Sequence, residues 1–382
     1  MAVAVICEFN PFHNGHAYLL REARRLTGSP VVCVMSGSFT QRGEAAITDK
    51  FTRAAIALKN GADLVAELPA VYAVANAQRF AEGGVAVAAL LPSVTHLAFG
   101  CETDDLEPLQ TAADAAADET VNARIAEQMK SGESYPRAFS AAVREVYGEK
   151  TAALLASPNN ILAVEYLRAL RGTGIKPLPV KRVGAAHDSA ETVRQFASGS
   201  FLREALQRGE DAAAFMPELP ERIADPSLLD RVILSRLRLC PPDDLRRLPD
   251  VGEGLENRIL SAAQTAKSMD ELVGAAASPR YTRARIRRIL ACALLDITEE
   301  LQSRRIAYLR PLGFSDEGAA LLRGCTGEIV TSPAKSLRGE SEILPYLRRD
   351  ILATDMAALA YEPPLRAGLD YITKIAKPNW IK

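Results

Sequence analysis

Short apolar segments rich in valine alternate with helical patterns over residues 1–100, and this alternation restricts the possible folds more than any other feature. The strands are predicted at 2–7, 30–35, 63–68 and 95–100, and the helices at 14–27, 49–60 and 78–90. Strands that are apolar along their whole length are typical of parallel sheets, which are covered on both faces and joined by crossover helices. The pattern therefore predicts an α/β fold with a parallel sheet built from βαβ units.

Helical patterns dominate the rest of the chain. The helices are predicted at 106–131, 136–147, 159–170, 198–206, 228–240, 254–275, 281–302, 314–323 and 341–361. A further strand is predicted at 176–183, and the mixed segment 326–338 is expected to hold one or two strands. Thr48 and Ser198 are the expected N-caps of their helices, because a hydroxyl can accept a hydrogen bond from the first helical N–H groups.

The length of the chain, 382 residues, is typical of two or three domains. A polar, proline-rich stretch at 217–227 is the expected boundary. We therefore predict a first domain at 1–212 that carries the sheet and a mainly α-helical second domain at 213–382.

Composition and charge exclude several classes of protein. Hydrophobic residues make up 48% and charged residues 24%, the balance of an ordinary globular protein. A formal net charge of -1 indicates that any surface for nucleic acid is a local patch. No segment is long enough to span a bilayer, and the first residues lack the basic region of a signal peptide. The six cysteines form no C-x-x-C pair, which predicts buried free thiols in a reducing cytoplasm.

The motif E-F-N-P-F-H-N-G-H joins the first strand to the first helix. Ligands of such sheets bind at the carboxyl ends of strands, where helix N-termini favour phosphate. His13 and His16 are three residues apart and should point the same way, as donors to a transferring phosphoryl group. Gly15 removes a side chain between them, so that an adenine ring could lie against the backbone. Two alternatives stay open: a metal site, although no third ligand is near, and a pair of helix-capping histidines.

HNGH resembles the HIGH-type signature of the nucleotidyltransferase superfamily. The longer string ICEFNPFHNGHAYLL resembles one branch of it, the tRNA(Met) cytidine acetate ligase family. The similarity continues in order through 36–69, 96–102, 157–170, 180–189, 253–259 and 278–290. Two positions depart from the family pattern: Ala186 stands where an aromatic residue is usual, and Phe201 is bulkier than expected.

This resemblance implies a Rossmann-like nucleotidyltransferase domain followed by a helical, tRNA-binding domain. It implies that ATP activates acetate to acetyl-adenylate, and that the acetyl group passes to the wobble cytidine of elongator tRNA(Met). ATP is then a substrate that Mg²⁺ accompanies, and no tightly bound cofactor is expected. The implied ATP site consists of Ile6, Cys7, Glu8, Phe9, Asn10, Pro11, Phe12, His13, Asn14, Gly15, His16, Gly100, Asn159 or Asn160, and Arg182.

The segment SGSFLREAL contributes a second group of candidate residues to the ATP site. Ser198, Ser200 and Arg203 lie at a helix start, where hydroxyls and a guanidinium suit the β- and γ-phosphates. The alternative is an ordinary N-cap with a surface arginine. Arg182 ends a predicted strand, which is where ligands bind, although it could equally form a surface ion pair. We predict His13, His16 and Arg203 as the catalytic residues.

The loop Gln41-Arg42-Gly43-Glu44 follows the second strand and should lie at the edge of the same site. Arg42 could hold a carboxylate or phosphate with both arms of its guanidinium. A solvated loop is the alternative. Asp49 opens the following helix, where a structural role beside the positive end of the helix dipole is favoured.

Five arginines crowd one short stretch of the second half, at positions 280, 283, 285, 287 and 288, namely Arg280, Arg283, Arg285, Arg287 and Arg288. Such a stripe is the pattern expected for contact with an RNA backbone, although arginines also pair with internal acids. Tyr281, Tyr308 and Phe314 are available to stack on the bases of a single-stranded loop.

Two rival functions use the same residues. A small-molecule adenylyltransferase would need the first domain alone, and a tRNA-binding protein regulated by ATP would release no pyrophosphate. The sequence predicts no membrane partner and leaves the oligomeric state open.

Overall fold

The computed structural model describes residues 1–103, 105–182, 195–304 and 307–377. Within them six strands form one sheet in the order β5-β4-β1-β2-β3-β6. Strands β1 to β5 are parallel, and β6 pairs antiparallel with β3. The strands are β1 Ala2–Cys7, β2 Val31–Ser36, β3 Leu64–Leu68, β4 Val94–Cys101, β5 Lys176–Lys181 and β6 Pro311–Phe314.

Helices cover most of the remaining described chain. The α-helices are α1 Asn14–Thr27, α2 Lys50–Lys59, α3 Ala70–Ala73, α4 Ala77–Ala89, α5 Leu106–Ala115, α6 Glu119–Lys130, α7 Tyr135–Tyr147, α8 Glu149–Leu154, α9 Pro158–Ala169, α10 Gly199–Gln207, α11 Asp230–Arg238, α12 Pro242–Arg246, α13 Leu255–Thr265, α14 Met269–Ala276, α15 Arg283–Leu295, α16 Glu299–Ser303, α17 Asp316–Leu322, α18 Pro333–Ser336, α19 Leu344–Ala357 and α20 Leu369–Ile372. Two short 3-10 helices lie at Pro226–Leu229 and Ala358–Ala360. None of the helices in the described part of the chain has the length and apolarity to cross a bilayer.

Strand β1 lies inside the sheet and is buried on both faces. Ala2, Ala4 and Ile6 pack on the side of α4 and α9, in the larger core cluster. Val3 and Val5 point to the opposite face and pack with α1 and α2. This alternation explains why the first strand is apolar throughout, and it confirms the predicted α/β fold with helices on both faces.

The direction of winding reverses beside β1. The chain adds β2 and β3 on one side of β1, and then crosses to add β4 and β5 on the other. The carboxyl ends of β1 and β4 therefore flank a topological switch point, which is where open α/β sheets leave a crevice for ligands. The motif E-F-N-P-F-H-N-G-H follows β1 directly at this crevice.

The strand of the second half is not where it was predicted. The segment 326–338 contains an isolated bridge between Leu309 and Ile329 and a short helix, and no strand among its residues. The strand is instead β6, which adds to the edge of β3 with Leu64 opposite Phe314. A parallel sheet is thus correct for five strands, and the sixth is antiparallel. Since β6 extends the sheet of the first half, the boundary at 212 stays a prediction.

Three predicted helices are each two helices in the structure, at 106–131, 254–275 and 281–302. In each case a side chain caps the second helix and accepts hydrogen bonds from its first N–H groups, and these caps are Asp118, Ser268 and Thr298. The predicted cap Thr48 is also wrong. Asp49 caps α2 by accepting from Phe51 N and Thr52 N, both at 2.9 Å. Ser198 is confirmed as the cap of α10.

Candidate active site

A cavity of about 420 Å³ opens at the switch point, between the N-termini of α1 and α10. The predicted site residues that line it are Ile6, Cys7, Glu8, Phe9, Asn10, His13, Gly15, His16, Gly100, Asn159, Arg182, Ser200 and Arg203. The predicted residues that do not line it are Pro11, Phe12, Asn14, Asn160 and Ser198. The structure therefore brings most of the predicted residues together, from five segments of the chain.

His13 and His16 form a stacked pair at the start of α1. Nδ1 of His13 accepts from Gly15 N at 3.0 Å, and Nδ1 of His16 accepts from His13 N at 3.3 Å. The two ring centroids are 3.8 Å apart at an interplanar angle of 24°. Because both Nδ1 atoms act as acceptors, a neutral ring at either position carries its proton on Nε2. The capping interpretation is therefore correct as geometry, and it orients both Nε2–H donors away from the helix backbone.

Two phenylalanines of the motif hold His16 in place. Phe9 is fully buried, and its ring meets those of Phe12 and His16 edge-on at centroid distances of 4.8 and 5.0 Å. Phe9 has φ of 49°, a left-handed conformation that costs a non-glycine residue roughly 1–3 kcal/mol. Burial of the ring offsets this cost. Phe9 and Phe12 thus form the aromatic surface against which His16 packs.

Gly15 has a structural role besides the predicted contact with adenine, which stays a prediction. A Cβ atom at this position would lie 2.9 Å from Cε1 and 3.0 Å from Nδ1 of His13. Only glycine therefore leaves room for the His13 ring to fold over the first turn of the helix and accept from its backbone. Asn14 contributes from outside the cavity, since its side chain donates to the carbonyls of Gln195 and Ala214 at 2.9 and 3.1 Å.

A buried arginine that sequence reasoning missed organises the loops around the cavity. Arg53 is fully buried in α2 and donates to the backbone carbonyls of Glu8, Ser36, Gly37 and Thr48. It therefore ties the carboxyl ends of β1 and β2 together. An arginine among the apolar residues of an amphipathic helix was the available signal, but its partners could not be read from the sequence.

Glu8 is the only carboxylate among the described residues that line the cavity. Its Oε1 accepts from Gln41 N at 2.6 Å. Burial raises the pKa of the Glu8 carboxyl, while the hydrogen bond from Gln41 and the charges of Arg203 and Arg53 oppose that rise. The cationic side chains in the cavity lining, Arg42, Lys181, Arg182 and Arg203, outnumber this one acidic group.

The N-terminus of α10 closes the cavity on one side. Nη1 of Arg203 donates to Asn10 O at 2.7 Å, and its Nη2 donates to Ser200 Oγ at 3.2 Å. The guanidinium is therefore fixed beside the histidine motif by a bond to the motif itself. Ser198 Oγ accepts from Phe201 N at 3.1 Å as the helix cap. Ser200 and Arg203 line the cavity, whereas Ser198 supports the helix that carries them.

Glu102, also missed from the sequence, organises the opposite side. Its Oε1 accepts from Asn159 Nδ2 at 3.0 Å and lies 3.5 Å from Nε of Arg182. Its backbone N donates to Oδ1 of the buried Asn160 at 3.1 Å. Asn159 and Arg182 thus face the cavity, and Asn160 holds the end of β4. Residues 183–194, which include Ala186 and most of the segment 180–189, lie outside the described part of the chain.

The floor and far wall of the cavity are apolar. They consist of Phe80, Phe99, Leu162 and Tyr166, on α4, β4 and α9, besides residues of the motif. Burial raises the pKa of the Tyr166 hydroxyl, which therefore stays protonated. The periodicity of these residues indicated helices and a strand only, because cavity walls are assembled from distant segments.

Four arginines of the stripe form ion pairs or hydrogen bonds with other residues of the chain. Arg280 pairs with Glu253, and Arg283 pairs with Asp270. Arg285 donates to the carbonyl of Asp250, and Arg287 pairs with both Glu44 and Asp270. Arg288 is half-buried. The stripe is thus bound to neighbouring elements, and its role in RNA binding stays a prediction.

The predicted stacking partners are less accessible than the hypothesis requires. Tyr308 is fully buried and donates to Asp350, and Tyr281 is buried under the Arg285 guanidinium at 5.2 Å from its ring centroid. Phe314 lies half-buried in β6. Tyr281 and Tyr308 therefore present no open ring face to a base.

The described residues contain no group of three histidine, cysteine, aspartate or glutamate side chains arranged to hold a metal ion. The histidine pair has its two Nδ1 atoms committed to the backbone. The geometry therefore favours donors to an anion at this position over a metal centre.

Comparison with known proteins gives matches over nearly the whole chain. The model of the HIGH Nucleotidyl Transferase family matches residues 1–368. The tRNA(Met) cytidine acetate ligase of Thermoanaerobacter sp. (strain X514) is 36% identical over 400 residues, 98% of this chain and 99% of that protein. The crystal structure of Thermotoga maritima TmcAL (apo, form I) matches with a TM-score of 0.90 and 28% identity, over 98% of this chain and 99% of that chain. The same protein bound with alpha-thio ATP matches with a TM-score of 0.87 over the same shares at the same identity.

Fold and site together define a nucleotidyltransferase of the HIGH type. The chain belongs to the tRNA(Met) cytidine acetate ligase family, and it is an enzyme of the ligase class. The resemblance inferred from the motifs is thereby confirmed.

Proposed function

We propose that this enzyme activates acetate with ATP to form acetyl-adenylate, and then acetylates the wobble cytidine of elongator tRNA(Met). The observation that carries the proposal is the stacked pair of His13 and His16 at the N-terminus of α1, beside Arg203, in a chain of this family. A helix N-terminus with two imidazole donors and a guanidinium is suited to a polyphosphate.

ATP would occupy the cavity of about 420 Å³ with its triphosphate between α1 and α10. The α-phosphate would lie at the Nε2–H edges of the histidine pair. Ser200 and Arg203 would hold the β- and γ-phosphates. Gly100, Asn159 and Arg182 would bind the nucleoside, since they line the opposite side.

In the first step a carboxylate oxygen of acetate attacks the α-phosphorus in line with the leaving group. The bond between the α-phosphorus and the bridging oxygen breaks, and pyrophosphate leaves with that oxygen. His13 and His16 donate to the α-phosphate oxygens as negative charge builds up there. Arg203 stabilises the charge on pyrophosphate, and its bond to Asn10 O fixes the geometry before the reaction.

In the second step the exocyclic amine of the cytidine attacks the acetyl carbonyl carbon. The bond between that carbon and the phosphate oxygen breaks, AMP leaves, and the amine loses one proton to water. No covalent intermediate with the protein is needed. Burial raises the pKa of the Cys7 thiol, the cysteine that lines the cavity, so it is a poor nucleophile.

Mg²⁺ accompanying ATP would be held mainly by phosphate oxygens and water, the ligands that this hard cation prefers. Glu8 is the one described cavity residue with a carboxylate that could support such an ion. When bound, Mg²⁺ would neutralise charge on the phosphates.

The predicted domain 1–212 would carry out catalysis, and the predicted domain 213–382 would contact the tRNA. The side chains of Arg280 and Arg283 are 36% and 55% exposed, against 22% for Arg287. They are the better candidates for phosphate contact, because an exposed ion pair is easily exchanged. We place the enzyme in the cytoplasm, as expected for a tRNA substrate.

The direct test of the first step is acetate-dependent exchange of labelled pyrophosphate into ATP, without tRNA. His16→Ala should lower kcat/KM by about 100-fold or more, the usual effect of removing one preorganised donor. His96→Ala is the matched control, because His96 lies on β4 outside the cavity and pairs with Thr95. Exchange that requires another acceptor instead of acetate would favour a small-molecule adenylyltransferase. ATP binding without any pyrophosphate release would favour a non-catalytic tRNA-binding protein.

A further inference from the structure

A tight turn at Thr40–Glu44 separates the cavity from helix α15. Gly43 N donates to Thr40 O at 2.9 Å, and Thr40 N donates to Glu44 O at 3.0 Å. Gln41 and Arg42 on the outer bend of this turn line the cavity. The position of the turn therefore decides where these two side chains stand relative to a bound nucleotide.

On its cavity side the turn is hydrogen-bonded to Glu8, the first residue of the E-F-N-P-F-H-N-G-H motif. Gln41 N donates to Glu8 Oε1 at 2.6 Å, the length of a strong hydrogen bond to a carboxylate. The positive charges of Arg203 and Arg42 also act on the Glu8 carboxyl and lower its pKa, against the effect of burial. A shift of the turn would therefore move a donor away from the one carboxylate of the described cavity lining.

On the other side the turn rests directly on the backbone of α15. Gly43 has φ of 78°, and a Cβ at this position would lie 2.5–2.7 Å from backbone atoms of Arg287 and Arg288. No side chain fits in this space, so the turn and the helix touch through their main chains. Next to this contact, Glu44 forms an ion pair with Arg287.

Arg287 is held on both sides. Its guanidinium binds Glu44 through Nη1 and Asp270 through Nη2. The Arg287 side chain is 22% exposed and that of Glu44 is 34% exposed, whereas Asp270 is 75% exposed. The pair with Glu44 is therefore the better shielded of the two and contributes more to the position of the turn.

We infer that Arg287 is a positioning residue for the ATP site: through Glu44 and the Gly43 contact it fixes the turn that presents Gln41 and Arg42 to the cavity. This inference rests on the proposed function and changes one part of it. Arg287 then acts on the nucleotide step, and not primarily as a contact to RNA phosphate.

The two roles predict different results in the absence of tRNA. A residue that only contacts tRNA leaves acetate-dependent pyrophosphate exchange unchanged when it is replaced. A positioning residue alters that exchange, since the turn is displaced whether or not tRNA is bound. The experiment therefore measures tRNA-free exchange, together with calorimetric affinity for a non-hydrolysable ATP analogue, for the wild type and Arg287→Gln, Glu44→Gln and Arg349→Gln.

We expect Arg287→Gln and Glu44→Gln each to lower kcat/KM for ATP by about tenfold and to weaken the analogue to a similar extent. Arg349→Gln is the matched control, because the Arg349 side chain is 23% exposed against 22% for Arg287, and it pairs with Asp296 at the other end of α15, away from the turn. It should stay within twofold of the wild type in both assays. The double reversal Glu44→Arg with Arg287→Glu should be more active than either reversal alone, because the ion pair is restored.

Exchange and analogue affinity within twofold of the wild type for folded Arg287→Gln would overturn the inference, even if tRNA binding falls. Melting curves establish that each variant is folded. If the wild type shows no acetate-dependent exchange, the proposed function fails, while the analogue affinities of the same variants still decide the role of Arg287.

Discussion

Replacement of Gly15 by alanine should impair catalysis while leaving stability nearly unchanged. The added Cβ would lie 2.9 Å from Cε1 and 3.0 Å from Nδ1 of His13, closer than ordinary carbon contacts by about half an ångström. The His13 ring must therefore tilt or move away. That motion disturbs both its hydrogen bond to Gly15 N and its stacking on His16.

The magnitude follows from the size of the displacement. A misplacement of about 1 Å at a reacting centre costs roughly 100-fold in rate, so a shift of half that size should cost about 10- to 100-fold in kcat/KM. Stability receives two opposing contributions. Alanine is favoured over glycine in a helix by about 1 kcal/mol, and the contact with His13 costs a similar amount.

The assay is tRNA-free, acetate-dependent pyrophosphate exchange, combined with thermal unfolding. Gly274→Ala is the matched control, because it makes the same change inside α14, where the nearest atom to the new Cβ is Arg283 Nη1 at 3.6 Å. It should keep full activity. If Gly15→Ala kept more than a third of the wild-type kcat/KM, the position of the His13 ring would not be set by the lack of a side chain at Gly15.

Three further predictions follow from burial and hydrogen bonding. Burial raises the pKa of the Asp350 carboxyl to about 7, so the folded state holds a proton that the unfolded chain releases near pH 4. The stability of the wild type relative to Asp350→Asn should therefore fall by about 2–3 kcal/mol between about pH 5 and pH 8, measured by urea unfolding; a difference that does not change with pH would contradict it. Asn159→Ala should weaken an ATP analogue with little loss of stability, whereas Asn160→Ala should destabilise by about 1–2 kcal/mol because a backbone N–H loses its acceptor; calorimetry and melting curves distinguish the two. Of the six cysteines only Cys240 and Cys325, which are partly exposed, should react quickly with a thiol reagent in the native protein, and all six should react in denaturant; rapid native labelling of more than two would contradict the packing.

Local signals in the sequence were sufficient to predict strands, helices and caps wherever these depend on residues that are close along the chain. The first strand and helix α1 were predicted because an apolar run and a helical pattern lie close together, on either side of the histidine motif. Ser198 was recognised as a cap for the same reason. Thr48 was chosen over Asp49 wrongly, since both residues are good caps and only the backbone geometry decides between them.

Features that depend on distant contacts could not be predicted in the same way. β6 is four residues long, begins with Pro311 and contains a glycine, so its sequence does not predict a strand. It is a strand because the exposed edge of β3 accepts it. Arg53 and Glu102 hold the cavity together through partners from 5 to 80 positions away, which a pattern of residue types does not reveal.

The histidine pair shows how a motif and a structural role can coincide. The sequence left a phosphate site, a metal site and a capping pair as alternatives for His13 and His16. The structure has both rings as caps, and the same hydrogen bonds turn their Nε2 edges outward as donors. The capping role therefore supports the proposed chemistry, because it fixes the donors before the substrate binds.

Acetylation of the wobble cytidine by this enzyme can be measured by mass spectrometry of nucleosides from elongator tRNA(Met). The unmodified tRNA is incubated with the enzyme, ATP, Mg²⁺ and isotopically labelled acetate, and in parallel with His16→Ala. We expect labelled acetylcytidine from the wild type alone, in an amount that depends on ATP. No label in the tRNA from an enzyme that is folded and binds ATP would contradict it.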